Sequence, residues 1–132
     1  MKPEDKIKVA AVNCFIGLGK EQIEPNISKC LRYIEEASKN GAKLIVLPEC
    51  ANSGYIFKGH EDCYELATSI PGKISDRICA AAKANQIYVA IGLTERGLYP
   101  KVYNTAILIS REGKIIGHWR KQHFWNIDKL YY

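Results

Sequence analysis

No stretch of this chain approaches the ~18 consecutive apolar residues that a membrane-crossing helix needs. The first six residues, Met1-Lys2-Pro3-Glu4-Asp5-Lys6, are polar and mixed in charge, without the apolar centre of an export signal. A cytoplasmic protein with no membrane partner is expected. The five cysteines, Cys14, Cys30, Cys50, Cys63 and Cys79, include no Cys-x-x-Cys pair, and their number is odd. That argues against a disulfide framework and for free thiols in a reducing compartment. His60, His118 and His123 lack metal-ligand spacing, so no metal site is expected. A dense basic face is missing too. The net charge is +5, with a mild excess at Arg111, Lys114, Arg120 and Lys121, which is thin for nucleic acid. There is no internal repeat, low-complexity tract or linker.

What is present is one moderate domain, 1–132, with 47% hydrophobic and 25% charged residues, ordinary values for a globular protein. Residues 7–14 read as a mostly apolar strand, of the kind buried on both faces. Residues 26–40 read as a helix with Asn26 as N-cap after Pro25. Its inward stripe is Ile27, Leu31 and Ile34 with Cys30 beside them, and Gly41 is the stop. A second strand occupies 43–48, closed by Pro48. A polar, glycine-bearing stretch follows at 50–60. A second helix covers 73–84, with Ile74, Ile78 and Ala81 or Ala82 inward. Strands at 86–94, 103–110 and 115–119 complete the order β-α-β-α-β-β-β, the last two joined by a hairpin turn at 111–114. The fold class is α/β, with the first three strands parallel through helical crossovers. The aromatic tail, 122–132, shows no cap that would finish a domain.

Two residues invite chemistry. Glu49 follows the second strand, and the carboxyl ends of parallel strands border the crevices where sites form. A carboxylate there is expected to be partly desolvated, as suits a general base. A surface Glu just past a strand fits the position equally well. Lys121 follows the last strand, where an ammonium can meet a developing oxyanion and offset the cost of burying Glu49. Taken alone it also reads as a solvated Lys beside Arg120. Arg120 and Lys121, adjacent on an extended chain, should face opposite sides.

The cysteines offer less. Cys30 and Cys79 sit on apolar helix faces. Cys50 points away from Glu49 if the strand continues, and Cys63 has no evident base. Cys14, at the end of the first strand, is the one weak nucleophile candidate and reads better as core. The loop Ile16-Gly17-Leu18-Gly19-Lys20 resembles a phosphate loop only loosely: Glu21, not Ser or Thr, follows Lys20. No cofactor is expected.

Four segments together, Leu-Ile-Val-Leu-Pro-Glu (44–49), Ser-Gly-Tyr (53–55), Tyr-Asn-Thr-Ala (103–106) and Arg-Lys-Gln-His (120–123), resemble the carbon–nitrogen hydrolase (nitrilase) superfamily. The resemblance implies an α-β-β-α sandwich that usually dimerises, of which this chain is the N-terminal half. It implies a Glu-Lys-Cys site acting on small amide, N-carbamoyl or nitrile substrates. Glu49 would be the general base and acid, and Lys121 the stabiliser of the tetrahedral intermediate. Residues 52–59 would line the substrate entrance. In the family the nucleophilic Cys and a further Glu follow the Lys. No cysteine here matches that motif, so the chain is expected to be truncated and inactive by itself. A half-sandwich exposes an apolar sheet face, and a homo-oligomer is expected. Two other readings stand beside it: a non-catalytic binding or assembly module, and a small nucleotide-binding α/β domain using residues 17–20.

Overall fold

The structure, a computed structural model, describes residues 6–132. Its elements are β1 (Val9–Ala11), α1 (Ile23–Lys39), β2 (Leu44–Val46), α2 (His60–Leu66), α3 (Lys73–Asn85), β3 (Tyr88–Arg96), β4 (Val102–Ile109) and β5 (Ile115–Arg120). Short 3-10 turns occupy Lys20–Gln22 and Asn126–Leu130. One five-stranded sheet runs β1-β2-β3-β4-β5. The first three strands are parallel and the last two antiparallel, as expected from crossovers followed by hairpins.

Helices α1 and α3 supply the core with buried residues at helical spacing: Ile27, Cys30, Ile34 and Ala37 from one, Ile74, Ile78 and Ala82 from the other. They pack against Ile45, Val89, Ile91, Leu93, Ile107 and Ile109 of the sheet. Ala82, not Ala81, is the fully buried member of the pair left open by the sequence. Gly41 ends α1 with φ +82°, a left-handed conformation that suits glycine.

Several boundaries differ from expectation. Asn26 is not an N-cap: α1 begins at Ile23, and Pro25 sits in its first turn, where no helical N–H is owed. Asn26 is buried and its amide holds both polar groups of Gly17 at 2.8 Å, so the Gly17 N–H of the glycine loop is already engaged. The loop from 50 to 60 gives way to a seven-residue helix, α2. Only Cys63 and Leu66 of α2 are buried, so its apolar periodicity was too short to register. The tail also carries its own cap: Asp128 Oδ2 accepts from the Trp125 N–H at 3.0 Å. Tyr131 and Tyr132 then pack around Phe57, Cys63 and Leu66 in a second cluster.

β1 is not buried on both faces. The helices cover one face of the sheet. On the other, Val9 is 58%, Val46 45% and Trp119 58% exposed. Along β2 the burial alternates: Ile45 points to the helices, while Val46 faces out with its partners Ala11 and Ala90.

Candidate active site

Glu49 sits in the turn after β2. Cys50, at φ +48°, bends the backbone sharply just beyond it. The turn lies flat against β3. Gly92 N–H donates to Pro48 O at 3.1 Å, and Ala51 N–H donates to Gly92 O at 2.8 Å. A side chain at position 92 would meet Glu49 Cα at 2.6 Å, so glycine permits this approach. From behind, the buried amide of Asn52 donates to Leu66 O and accepts from Thr94 N–H at 2.9 Å. Asn26 in turn donates to Asn52 O. Glu49 is thus placed by backbone contacts and two buried amides.

Lys121 arrives from β5. Its N–H donates to Asn104 O at 2.8 Å, continuing the β4–β5 ladder one residue past the strand. Its Nζ lies 3.0 Å from Glu49 Oε1, 3.0 Å from Asp128 Oδ2 and 3.2 Å from the Tyr55 hydroxyl. The Asn104 amide donates to the same Glu49 oxygen at 2.6 Å. Among the described residues, the side-chain hydrogen bonds to Glu49 fall on Oε1, which leaves Oε2 open to a proton. Burial alone would lower the Lys121 pKa, but hydrogen bonds to Glu49, Asp128 and Tyr55 outweigh it and raise the pKa. Asp128 has the mirror-image balance. Its burial favours the neutral acid, yet hydrogen bonds from Tyr55, the Trp125 N–H and Lys121 hold its carboxyl below the usual carboxylate range.

The two residues singled out in the sequence are therefore brought together. Glu49 is half-buried, its side chain 49% exposed. Arg120 and Lys121 do face opposite sides. Arg120 forks onto the buried Glu95, with Nε and Nη2 at 3.0 and 2.7 Å, and lies over the Tyr103 ring. Asn104 and Asp128 were missed as site residues, and Tyr55 was expected only as part of the 52–59 stretch lining the entrance. Tyr55 and Asn104 lie inside the Ser-Gly-Tyr and Tyr-Asn-Thr-Ala segments, which were the available signal. Asp128 had none.

Two cavities flank Glu49. One, about 380 Å³, is lined by Val46, Ala90, Gly92, Asn104, Trp119 and Lys121 on the open sheet face. The other, about 450 Å³, is lined by Cys14, Phe15, Leu18, Tyr55 and Ile56, so part of the 52–59 stretch borders the site. Cys14 lies three residues past β1, not at its end. The remaining thiols are poor nucleophiles. Burial pushes Cys30 up to about 11 and Cys63 up to about 12, and raises Cys50 and Cys79 as well. Cys50 is enclosed, with its sulfur 3.4 Å from the Tyr132 hydroxyl. Among the described residues no cluster of three His, Cys, Asp or Glu could hold a metal, and no helix is long and apolar enough to cross a membrane.

The sequence pattern of the family described as Carbon-nitrogen hydrolase matches residues 8–131. The chain belongs to the carbon-nitrogen hydrolase family. Similar members include a nitrilase of Pyrococcus abyssi, 33% identical over 96% of this chain and 47% of that one. An omega-amidase NIT2 of Homo sapiens is 34% identical over 78% of this chain and 36% of its own. A cyanide hydratase of Penicillium rubens is 33% identical over 95% of this chain and 37% of its own. The chain therefore spans less than half the length of these carbon-nitrogen hydrolases. Among solved structures, an N-terminal amidase superposes with TM-score 0.80 at 22% identity, over 95% of this chain and 30% of that one. An amidase from Nesterenkonia sp. does so with TM-score 0.80 at 18% identity, over 96% and 47%. The fold is the nitrilase fold, present here as one sheet with its helical layer.

Proposed function

We propose that this chain carries the acid–base and electrostatic part of a hydrolase acting on non-peptide carbon–nitrogen bonds, in small amide, N-carbamoyl or nitrile substrates. The observation that carries it is the Glu49 carboxylate, fixed through Oε1 by Lys121 and Asn104 with Oε2 left open. In the reading we favour, Oε2 takes the proton of a cysteine thiol as its sulfur adds to the substrate carbon. The Lys121 ammonium meets the negative charge that builds on the carbonyl oxygen or nitrile nitrogen. With an amide or N-carbamoyl group, Glu49 then returns the proton to the departing nitrogen as the C–N bond breaks. It next takes a proton from the water that cleaves the thioester, and returns that proton to the cysteine sulfur.

The nucleophile in this reading is none of the five cysteines present. Burial raises four of them, and Cys14 has no placed base bonded to it. Another segment would supply the thiol, and the isolated 132-residue chain would be inactive. Cytoplasmic location and homo-oligomeric assembly belong to the same proposal, the latter supported by the open apolar face.

The test is ammonia release by the purified chain from amide, carbamoyl and nitrile substrates. None is expected. Turnover that survives Glu49→Gln would overturn the assigned roles, and turnover abolished by Cys14→Ser would make Cys14 the nucleophile. Grafting residues 8–131 in place of the matching part of the Pyrococcus abyssi nitrilase supplies the remaining segment. There, Glu49→Gln and Lys121→Ala are each expected to lower kcat/KM by at least about a hundredfold.

A further inference from the structure

Asp128 is an ionised side chain with no exposed surface, seven residues beyond Lys121 and joined to it directly. We propose that Asp128 is a positioning residue: it anchors the Lys121 ammonium through the whole proton cycle of Glu49 and directs its third N–H toward the Tyr55 side of the site. The proposal rests on the role given to Lys121 above.

An ammonium has three protons to give. Those of Lys121 have three acceptors: Glu49 Oε1 at 3.0 Å, Asp128 Oδ2 at 3.0 Å and the Tyr55 oxygen at 3.2 Å. Tyr55 is an acceptor here because its own proton goes to Asp128 Oδ1. Asp128 in turn receives three donors, from Tyr55, Lys121 and the Trp125 N–H. Of the three acceptors around Lys121, only Tyr55 is neutral, and its contact is the longest. It is the one a developing oxyanion displaces, and Tyr55 lines the cavity shared with Glu49, Phe15 and Ile56. When Glu49 takes up a proton, its attraction for Lys121 falls. Asp128 is buried, accepts no catalytic proton, and keeps the ammonium charged and in place.

The experiment uses the 132-residue chain, folded and without substrate. Competitive acetylation with acetic anhydride, read per lysine by peptide mass spectrometry, reports the free-amine fraction of Lys121. Asp128→Asn keeps an oxygen for the Trp125 N–H and removes the charge. It is expected to acetylate Lys121 about tenfold faster, the change produced by one pKa unit, with the other lysines unaltered. Asp128→Glu should return the rate to within about threefold of wild type. An unchanged Lys121 rate in a folded Asp128→Asn chain overturns the proposal. If that variant unfolds, wild type decides: its Lys121 ¹³Cε resonance should stay flat to about pH 11 while exposed lysines titrate near their usual ~10.4, and titration with the rest overturns it. Glu49→Gln separates the two ideas. Acceleration there but not in Asp128→Asn defeats the role of Asp128 alone. Acceleration in Asp128→Asn but not in Glu49→Gln defeats the Glu49–Lys121 pairing instead.

Discussion

At the scale of single residues, the placement of Glu49 depends on a side chain buried behind it. Asn52 is fully buried, and its amide satisfies the Thr94 N–H and the Leu66 carbonyl at once. Asn52→Ala strands both groups without water. It should cost about 2–3 kcal/mol, read as a lower denaturant midpoint at unchanged slope. Glu49 and Lys121 were legible in the sequence because each follows a strand, and strand ends border crevices. Asn104 and Tyr55 were visible only as letters in recurring segments. Their roles depend on which strand faces Glu49, and that is decided by pairing. Asp128 was illegible. It sits in a stretch without period or cap signal, and its importance arises from a tertiary contact alone.

At the scale of elements, strands β3, β4 and β5 are tied on the helix side by a charge cluster. Glu95 is nearly buried and accepts from Thr105, His118 and Arg120. Burial pulls its carboxyl up, but hydrogen bonds from Arg120 and Thr105 outweigh that and hold it below the usual range. A depressed folded pKa stabilises above the unfolded value, ~4.3 for Glu, and that contribution is lost as pH falls through the folded pKa. Stability should therefore decline on acidification below about pH 4.3, and Glu95→Gln should flatten that limb in denaturant titrations at stepped pH. Element order was mostly readable, since long apolar runs and the Gly41 stop leave few alternatives. Boundaries were not. The Asn26 side chain resembles a cap by type, but its partners lie at Gly17 and Asn52, outside any local window. α2 escaped because seven residues with two buried positions form no stripe.

At the scale of the molecule, the sheet is finished on one side only. Val9, Val46, Ile116 and Trp119 are each 45–58% exposed. An apolar face of this kind favours association. Light scattering of the purified chain should show a mass that rises with concentration, and Val46→Lys or Trp119→Lys should lower it. A mass that stays monomeric across the range would show that the face tolerates water. The one-sided burial was only half legible: runs such as Leu-Ile-Val-Leu look alike whether a strand is covered on one face or two.

The β4–β5 hairpin carries an irregularity whose effect is one of parity. Ile109 pairs with Ile115 but Leu108 pairs with Gly117, so Ile116 is an extra residue with no partner across the ladder. Beyond it, Thr105 stands opposite Arg120, which sends Arg120 to the helix side and Lys121 to the Glu49 side. Were Ile116 instead paired in regular register with Leu108, Trp119 would stand opposite Thr105 and the alternation would run in the opposite phase. The guanidinium would turn to the open face and the Lys121 ammonium would turn inward, toward Glu95. Deleting Ile116 alone closes the bulge and leaves Thr105 opposite Arg120, so both cations keep their sides, whereas one further deletion before Arg120 exchanges them. The bulge is a spacer of one residue that absorbs Ile116 and keeps Lys121 in phase with Glu49.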